Sequence, residues 1–157
     1  MRTGVKLDRL AIIYGALTAL ALAVYFMIMR WTGLAENLEL RILNFFILAG
    51  GVLLAINKYK ILSHERMGYL EGYGLGSAVT FISTFIFAAF MGFYLHFNPD
   101  FMAYIKQHAL MGQYLTPFRA SIGLLLEGAA SGVIASFMIM QYYKRYNYNM
   151  GDNKQTM

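Results

Sequence analysis

Residues 10–29 read LAIIYGALTALALAVYFMIM, twenty positions from Leu10 to Met29 without a charge. An α-helix rises ~1.5 Å per residue and the hydrocarbon core of a bilayer is ~30 Å thick, so this is the length that crosses it. Arg2, Lys6 and Arg9 precede the run, and Ala19-Leu20-Ala21 has the form of a signal-peptidase site. The apolar stretch continues beyond that site through Val24-Tyr25-Phe26-Met27-Ile28-Met29, too far for the apolar region of a signal peptide. It reads as a retained first transmembrane helix.

Working outward, three further runs share the pattern. Residues 42–57 lie between Arg41 and Lys58, whose aliphatic stems can snorkel and make a slightly short span acceptable. Residues 72–95 form a third run, and residues 120–143 a fourth, interrupted by Glu127. The composition agrees: 59% of the 157 residues are hydrophobic and 13% charged, with a mean hydropathy of +0.50. Soluble domains carry about 25% charged residues. There are no cysteines, which excludes disulfides and thiolate metal sites. The net charge of +5 does not suggest nucleic acid, because the cations flank apolar runs instead of clustering on one face. The expected fold is an all-α integral membrane protein, a four-transmembrane-helix bundle over residues 1–146. Residues 147–157 are polar and expected to be a disordered tail.

The third loop has structure of its own. Asn98-Pro99-Asp100 is a helix start: an N-cap, a proline at the first position and an acid on the helix dipole. Phe101, Tyr104, Ile105, His108 and Met111 follow at helical spacing, and Gly112 ends the run. This predicts a short amphipathic helix over 99–111, lying on the membrane interface. Thr116-Pro117 then caps the fourth span.

Orientation follows from where Lys and Arg fall. The N-terminus, the second loop and the C-terminal tail hold nine of them, and the first and third loops hold four: Arg30, Arg41, Lys106 and Arg119. Both termini are therefore expected on the cytoplasmic side. Aromatic belts fit, with Tyr25, Trp31, Tyr94 and Phe118 towards one surface and Tyr59, Tyr69, Tyr142 and Tyr143 towards the other.

Small residues at four-residue spacing are the clearest internal pattern. Gly72, Gly76, Thr80, Thr84, Ala88 and Gly92 form a ridge along the third span. Ala11, Gly15, Ala19 and Ala23 do so in the first span, and Gly128, Gly132 and Ser136 in the fourth. Such ridges let helix backbones approach closely, which is how membrane helices associate. They can pack within one bundle or face a partner protein. A row this long drifts around its helix and should meet more than one neighbour. The L-E-G-x-x-x-G pattern occurs at Leu70 and at Leu126, but antiparallel helices place the two copies at different depths.

Two acids stand out. Glu71 lies near a helix end, within reach of Lys58 or Arg66, and reads as half of an interfacial ion pair. Glu127 lies seven or eight residues inside its span, where an ionisable group is costly and by default a functional candidate. Three roles are open to it: a protonated carboxyl, or one hydrogen-bonded to Asn44, Ser121 or Ser131; an ion pair with Arg41 or Arg119; or a proton or cation relay. The histidines do not form a haem or metal set, since His64 falls in one loop and His96 and His108 in another. Neither a catalytic constellation nor a nucleotide motif occurs, and the glycines from Gly72 to Gly76 open a membrane span instead of following a strand.

The tract from Leu54-Ala55-Ile56-Asn57-Lys58-Tyr59-Lys60, through Tyr69-Leu70-Glu71-Gly72-Tyr73-Gly74, to Tyr94-Leu95-His96-Phe97-Asn98-Pro99-Asp100 resembles a known family. Its members are small inner-membrane proteins of Bacteroidetes-type bacteria, known as a domain of unknown function. Residues 127–136 of the fourth span are similar too, and the resemblance covers roughly residues 5–146. It implies four helices in a bacterial inner membrane and brings no activity, cofactor or catalytic residue.

The functional expectation is a non-enzymatic membrane subunit with no cofactor or metal, packing against a larger membrane complex or self-associating. The alternative is a small oligomeric transporter or channel with Glu127 lining the path. A path should gather Asn44, Thr80, Ser83, Thr84, Glu127 and Ser131 around one wet cavity, whereas a scaffold should leave them paired and dry. A lipid-modifying enzyme would instead require Asp100, His96 and His108 to converge.

Overall fold

A computed structural model of the chain describes residues 4–33, 41–63, 68–109 and 112–152. Five α-helices follow in order: α1 (Gly4–Trp31), α2 (Arg41–Leu62), α3 (Tyr69–Phe97), α4 (Pro99–His108) and α5 (Pro117–Asp152). A single 3-10 turn, Gly112–Tyr114, joins the last two. All but α4 contain a stretch long and apolar enough to cross a membrane: Leu7–Trp31, Ile42–Leu62, Tyr69–Phe97 and Pro117–Tyr143. The protein is an all-helical four-span bundle. Helices are the form such sequences must take, because hydrocarbon offers backbone N–H and C=O groups no partner outside their own helix.

Three boundaries differ from the sequence reading. The second span does not stop at Asn57; its helix continues through Lys58, Tyr59 and Lys60 to Leu62. Lysine is a good helix former, so two cations move the membrane boundary without ending the helix. Residues 147–152, expected to be disordered, prolong α5 as far as Asp152. Extending an existing helix adds one hydrogen bond per residue without a new nucleus. The short helix ends at His108, and Met111 lies outside the described residues.

The ends are set by local chemistry. Gly33 follows α1 with φ +72, a left-handed conformation that glycine adopts without a Cβ penalty, and its N–H donates to the Arg30 carbonyl. At the start of α5 the Thr116 hydroxyl accepts the Arg119 N–H at 3.3 Å, so the expected cap forms. Asn98 behaves otherwise. Its side-chain amide donates backwards to the Tyr94 carbonyl at 3.0 Å, closing the C-terminus of α3, and gives α4 no side-chain cap. Proline at the first position of α4 removes one of the amides that such a cap would serve.

α3 is the hub, packing against α1, α2, α4 and α5. Its small ridge faces inward: Gly72, Gly76, Thr80, Thr84 and Ala88 are all buried. The antiparallel α5 meets it at successive turns. A Cβ placed on Gly128 would lie 2.5 Å from Thr84 Cγ2, one on Gly132 2.5 Å from Thr80 Oγ1, and one on Gly76 2.7 Å from Ser136 Oγ. Gly92 is equally close to Ser121 Oγ, at 2.7 Å. Gly76 also faces Val52 of α2, at 3.0 Å, so the ridge meets a second neighbour. On the other side of α3, Gly15 of α1 abuts Ile82, at 2.6 Å. Gly51 of α2 receives the Thr18 side chain of α1, a pairing absent from the sequence reading.

Replacing Gly132 or Gly76 by Leu is expected to overpack this seam and destabilise the solubilised bundle by ~1–3 kcal/mol. A thermal melt in detergent should show a lowered midpoint for both. Gly123→Ala, at a position where a Cβ meets nothing within 4 Å, should not lower the midpoint and should raise it slightly, since alanine favours a helix interior over glycine.

Candidate functional site

Most hydroxyl groups of the spans are satisfied by their own helices. Thr18 donates to the Tyr14 carbonyl at 2.7 Å, Ser83 and Thr84 to Thr80 at 3.0 and 2.8 Å, and Ser136 to Gly132 at 2.8 Å. Ser121 donates to Pro117 at 2.8 Å and Ser131 to Gly128 at 3.1 Å. This back-bonding to the carbonyl three or four residues earlier lets Ser and Thr sit in a dry interface. Among the described residues Thr80 Oγ1 has no hydrogen-bond partner, and it is fully buried against Gly132. Asn44 Oδ1 is likewise buried and unpartnered among the described residues. The groups that a water-filled path would have gathered are therefore not gathered: Thr80, Ser83 and Thr84 are buried in the core, and Glu127 is exposed on the surface of α5.

Glu127 follows from the seam. Successive helix residues are rotated by about 100°, so packing Gly128 and Gly132 against α3 turns Glu127 away from that seam. It lies in a stripe of exposed positions with Gly123, Ala130 and Ile134. It stands ten residues beyond Pro117, where the helix begins, or ~15 Å along the axis. That is near the middle of the span and deeper than the sequence placed it. Two of its expected hydrogen-bonding partners, Ser121 and Ser131, direct their hydroxyls to α5 carbonyls. Arg119 Nη1 donates to the Tyr114 carbonyl at 2.7 Å. The Arg41 side chain lies outside the described residues.

The two ends of the bundle hold polar clasps. At the end where α2 leads to α3, the Tyr59 hydroxyl donates to Glu71 Oε2 at 3.1 Å, and the Gly68 N–H reaches the same oxygen at 3.3 Å. Glu71 thus caps its own helix and ties it to α2 through a tyrosine; the expected partner Lys58 is exposed, and Arg66 lies outside the described residues. The Tyr143 hydroxyl donates to Asn57 Oδ1, and Lys60 Nζ sits 5.2 Å from the Tyr143 ring centroid, so α5 is tied to α2. These tyrosines, expected in a lipid-facing belt, are buried.

At the other end Arg30 Nε donates to the Tyr94 hydroxyl at 3.2 Å, and its guanidinium lies 4.9 Å from the Phe101 ring centroid. Phe26 meets Tyr94 and Phe101 edge-on, with centroids 5.1 and 5.9 Å away. α4 therefore does not simply float at the interface. Phe101 and Met102 are buried in a cluster with Leu22, Phe87, Met91 and Leu95, closing this end of the bundle. Periodicity marked Phe101 but missed Met102, which lies off the apolar stripe.

His96 is exposed and stacks edge-on with Phe97, whereas His108 lies over Tyr104. Among the described residues no three of His, Asp and Glu gather as a metal site would need, and His64 lies outside them. Between α3 and α5 runs an apolar groove of about 450 Å³, lined by Phe81, Phe85, Ile86, Leu125, Leu126 and Ala129.

Tyr59→Phe should cost ~1 kcal/mol by deleting one hydrogen bond, and Glu71→Ala should cost more because the helix cap goes with it. In detergent melts Tyr59→Phe is expected to add little once Glu71 is already Ala. Strictly additive losses would show that the two groups are not partners. Comparison of the chain with protein-family models, curated proteins and solved structures finds no match.

Proposed function

We propose that this chain is a non-enzymatic subunit of a bacterial inner-membrane assembly, with both termini on the cytoplasmic side. The observation that carries the reading is the division of polar groups in the spans. The buried hydroxyls are mostly spent on their own helices, while a carboxyl near mid-span is turned outward. An ionisable group at such depth is a functional candidate by default, and its outward position leaves it accessible to a second protein surface. The apolar character of the α3–α5 groove is in keeping with a chain that offers no polar pocket there. The nine-to-four division of Lys and Arg supports the orientation.

The same carboxyl position suits the alternative of a transport path, but only one formed between chains. A path through a single chain would have to be lined by hydroxyls that are already committed to backbone carbonyls.

The test is gentle affinity purification from native membranes through a C-terminal fluorescent protein, followed by native mass spectrometry. Fluorescence is expected, because such a fusion folds on the cytoplasmic side. So is a complex containing more than one chain. A monomer that elutes without protein partners would overturn the subunit reading, and a dark but stable fusion would overturn the orientation.

A further inference from the structure

We propose that the apolar groove between α3 and α5 holds one acyl chain of an anionic phospholipid, with the phosphate seated at Arg119. Its walls are Phe81, Phe85 and Ile86 of α3 and Leu125, Leu126 and Ala129 of α5, around a volume of about 450 Å³. None of these side chains has a polar atom, so water, which needs ~2–4 polar partners, is not held there. Phe81, Phe85 and Leu126 are exposed on membrane-spanning helices, so the groove opens to hydrocarbon. Its contents must be apolar and present at that depth, and acyl chains are both. The groove is separate from the acid of α5: Leu125 and Ala129 each stand two residues from Glu127, about 160° round the helix. A lipid held here is independent of whether the chain is a subunit.

Charge and reach identify the occupant. A Cβ on Gly92 would lie 2.7 Å from Ser121 Oγ, so α3 and α5 are level there, and His96 and Arg119 both stand about one turn or less beyond. Both side chains are exposed. Arg119, Ile122, Leu126 and Ala129 recur at helical spacing, which sets the cation above the α5 wall. His96 is eleven residues past Phe85, about three turns, and so shares the face of the α3 wall. Each wall therefore ends on a group that can donate to a phosphate. Arg119 spends one N–H on the Tyr114 carbonyl, 2.7 Å away, which steadies the guanidinium and leaves its other N–H groups for that role. Arg30, at the same end, is already engaged with Tyr94 and Phe101. Phe101 packs on Tyr94, nine residues past Phe85 and on the opposite face of α3, so α4 and its Asp100 dock away from the groove. Below Arg119 the α5 wall runs from Leu125, ~9 Å down, to Ala129, ~15 Å down, which is the mid-plane of a ~30 Å core. One chain hanging from a headgroup at Arg119 spans that depth.

The test is native mass spectrometry of the detergent-solubilised chain incubated with phosphatidylglycerol or with phosphatidylcholine of identical acyl chains. One phosphatidylglycerol should be retained about tenfold more tightly than phosphatidylcholine, the scale of one charge-assisted hydrogen bond. Arg119→Gln should abolish that preference. Ala129→Phe, which fills the groove, should weaken retention of both lipids, whereas Leu20→Phe, on the exposed face of α1, should change neither. Detergent melts without lipid check that each variant folds, and Phe85→Ala, which removes an exposed wall, replaces Ala129→Phe if that variant does not. Equal retention of the two lipids by the parent, or unchanged retention in folded groove variants, would overturn the proposal. So would competition by glycerophosphoglycerol, the same headgroup without chains, since the groove would then play no part. The chain has no cysteine, so a thiol introduced by Ala129→Cys is unique. Its cross-linking to another protein in native membranes would overturn lipid as the occupant.

Discussion

The structure depends on the close approach of α3 and α5. Lipid tails are as apolar as leucine, so no hydrophobic effect presses these helices together, and they cohere by packing over a shallow surface. Gly76 against Ser136, Thr80 against Gly132 and Thr84 against Gly128 supply that surface at successive turns. Each contact sets a glycine against a small hydroxyl side chain, and Ser136 and Thr84 turn their protons back into their own helices. The seam is close because it is small and dry because its polar groups are largely self-contained.

The seam also has a consequence on the far side of α5. A helix that packs Gly128 and Gly132 on α3 turns Glu127 away from that seam, since it sits about 100° round the helix from Gly128. The same residues that close the bundle thus decide that the mid-span acid belongs to the outer surface. Tyr59 with Glu71, and Tyr143 with Asn57, fasten one end of the molecule, and Arg30 with Tyr94 and Phe101 the other. The interior between these clasps is held by shape rather than by charge.

Much of this was legible in the residues. Four apolar runs of membrane-crossing length read as membrane helices, and the ridges were visible as small residues recurring every fourth position. Their mutual pairing was not, because spacing along one helix says nothing of which helix it meets. The misreadings have a common physical source. Lys58 bounds the second span as the residues read, yet the helix runs on through it to Leu62, because a charge does not interrupt a hydrogen-bond ladder. Asn98 has the chemistry of a cap and uses it on the helix before, not the helix after. Beside Glu71 the structure adds Tyr59, which charge alone does not point to, while the expected cation Arg66 lies outside the described residues. The outward direction of Glu127 was the hardest to see, since it depends on which neighbour claims the glycines beside it.

The most direct measurement of the central claim is a compensation experiment at the turn that adjoins Glu127. Gly128→Ala adds a methyl group where Thr84 Cγ2 already sits, and Thr84→Ser removes that methyl while keeping the hydroxyl that bonds to Thr80. Melting midpoints of the two single variants and the double variant in detergent decide the matter. If α3 and α5 meet in this register, Gly128→Ala is destabilising alone and Thr84→Ser restores most of the loss. If the two substitutions act independently, the helices do not meet there, and the outward placement of Glu127 falls with them.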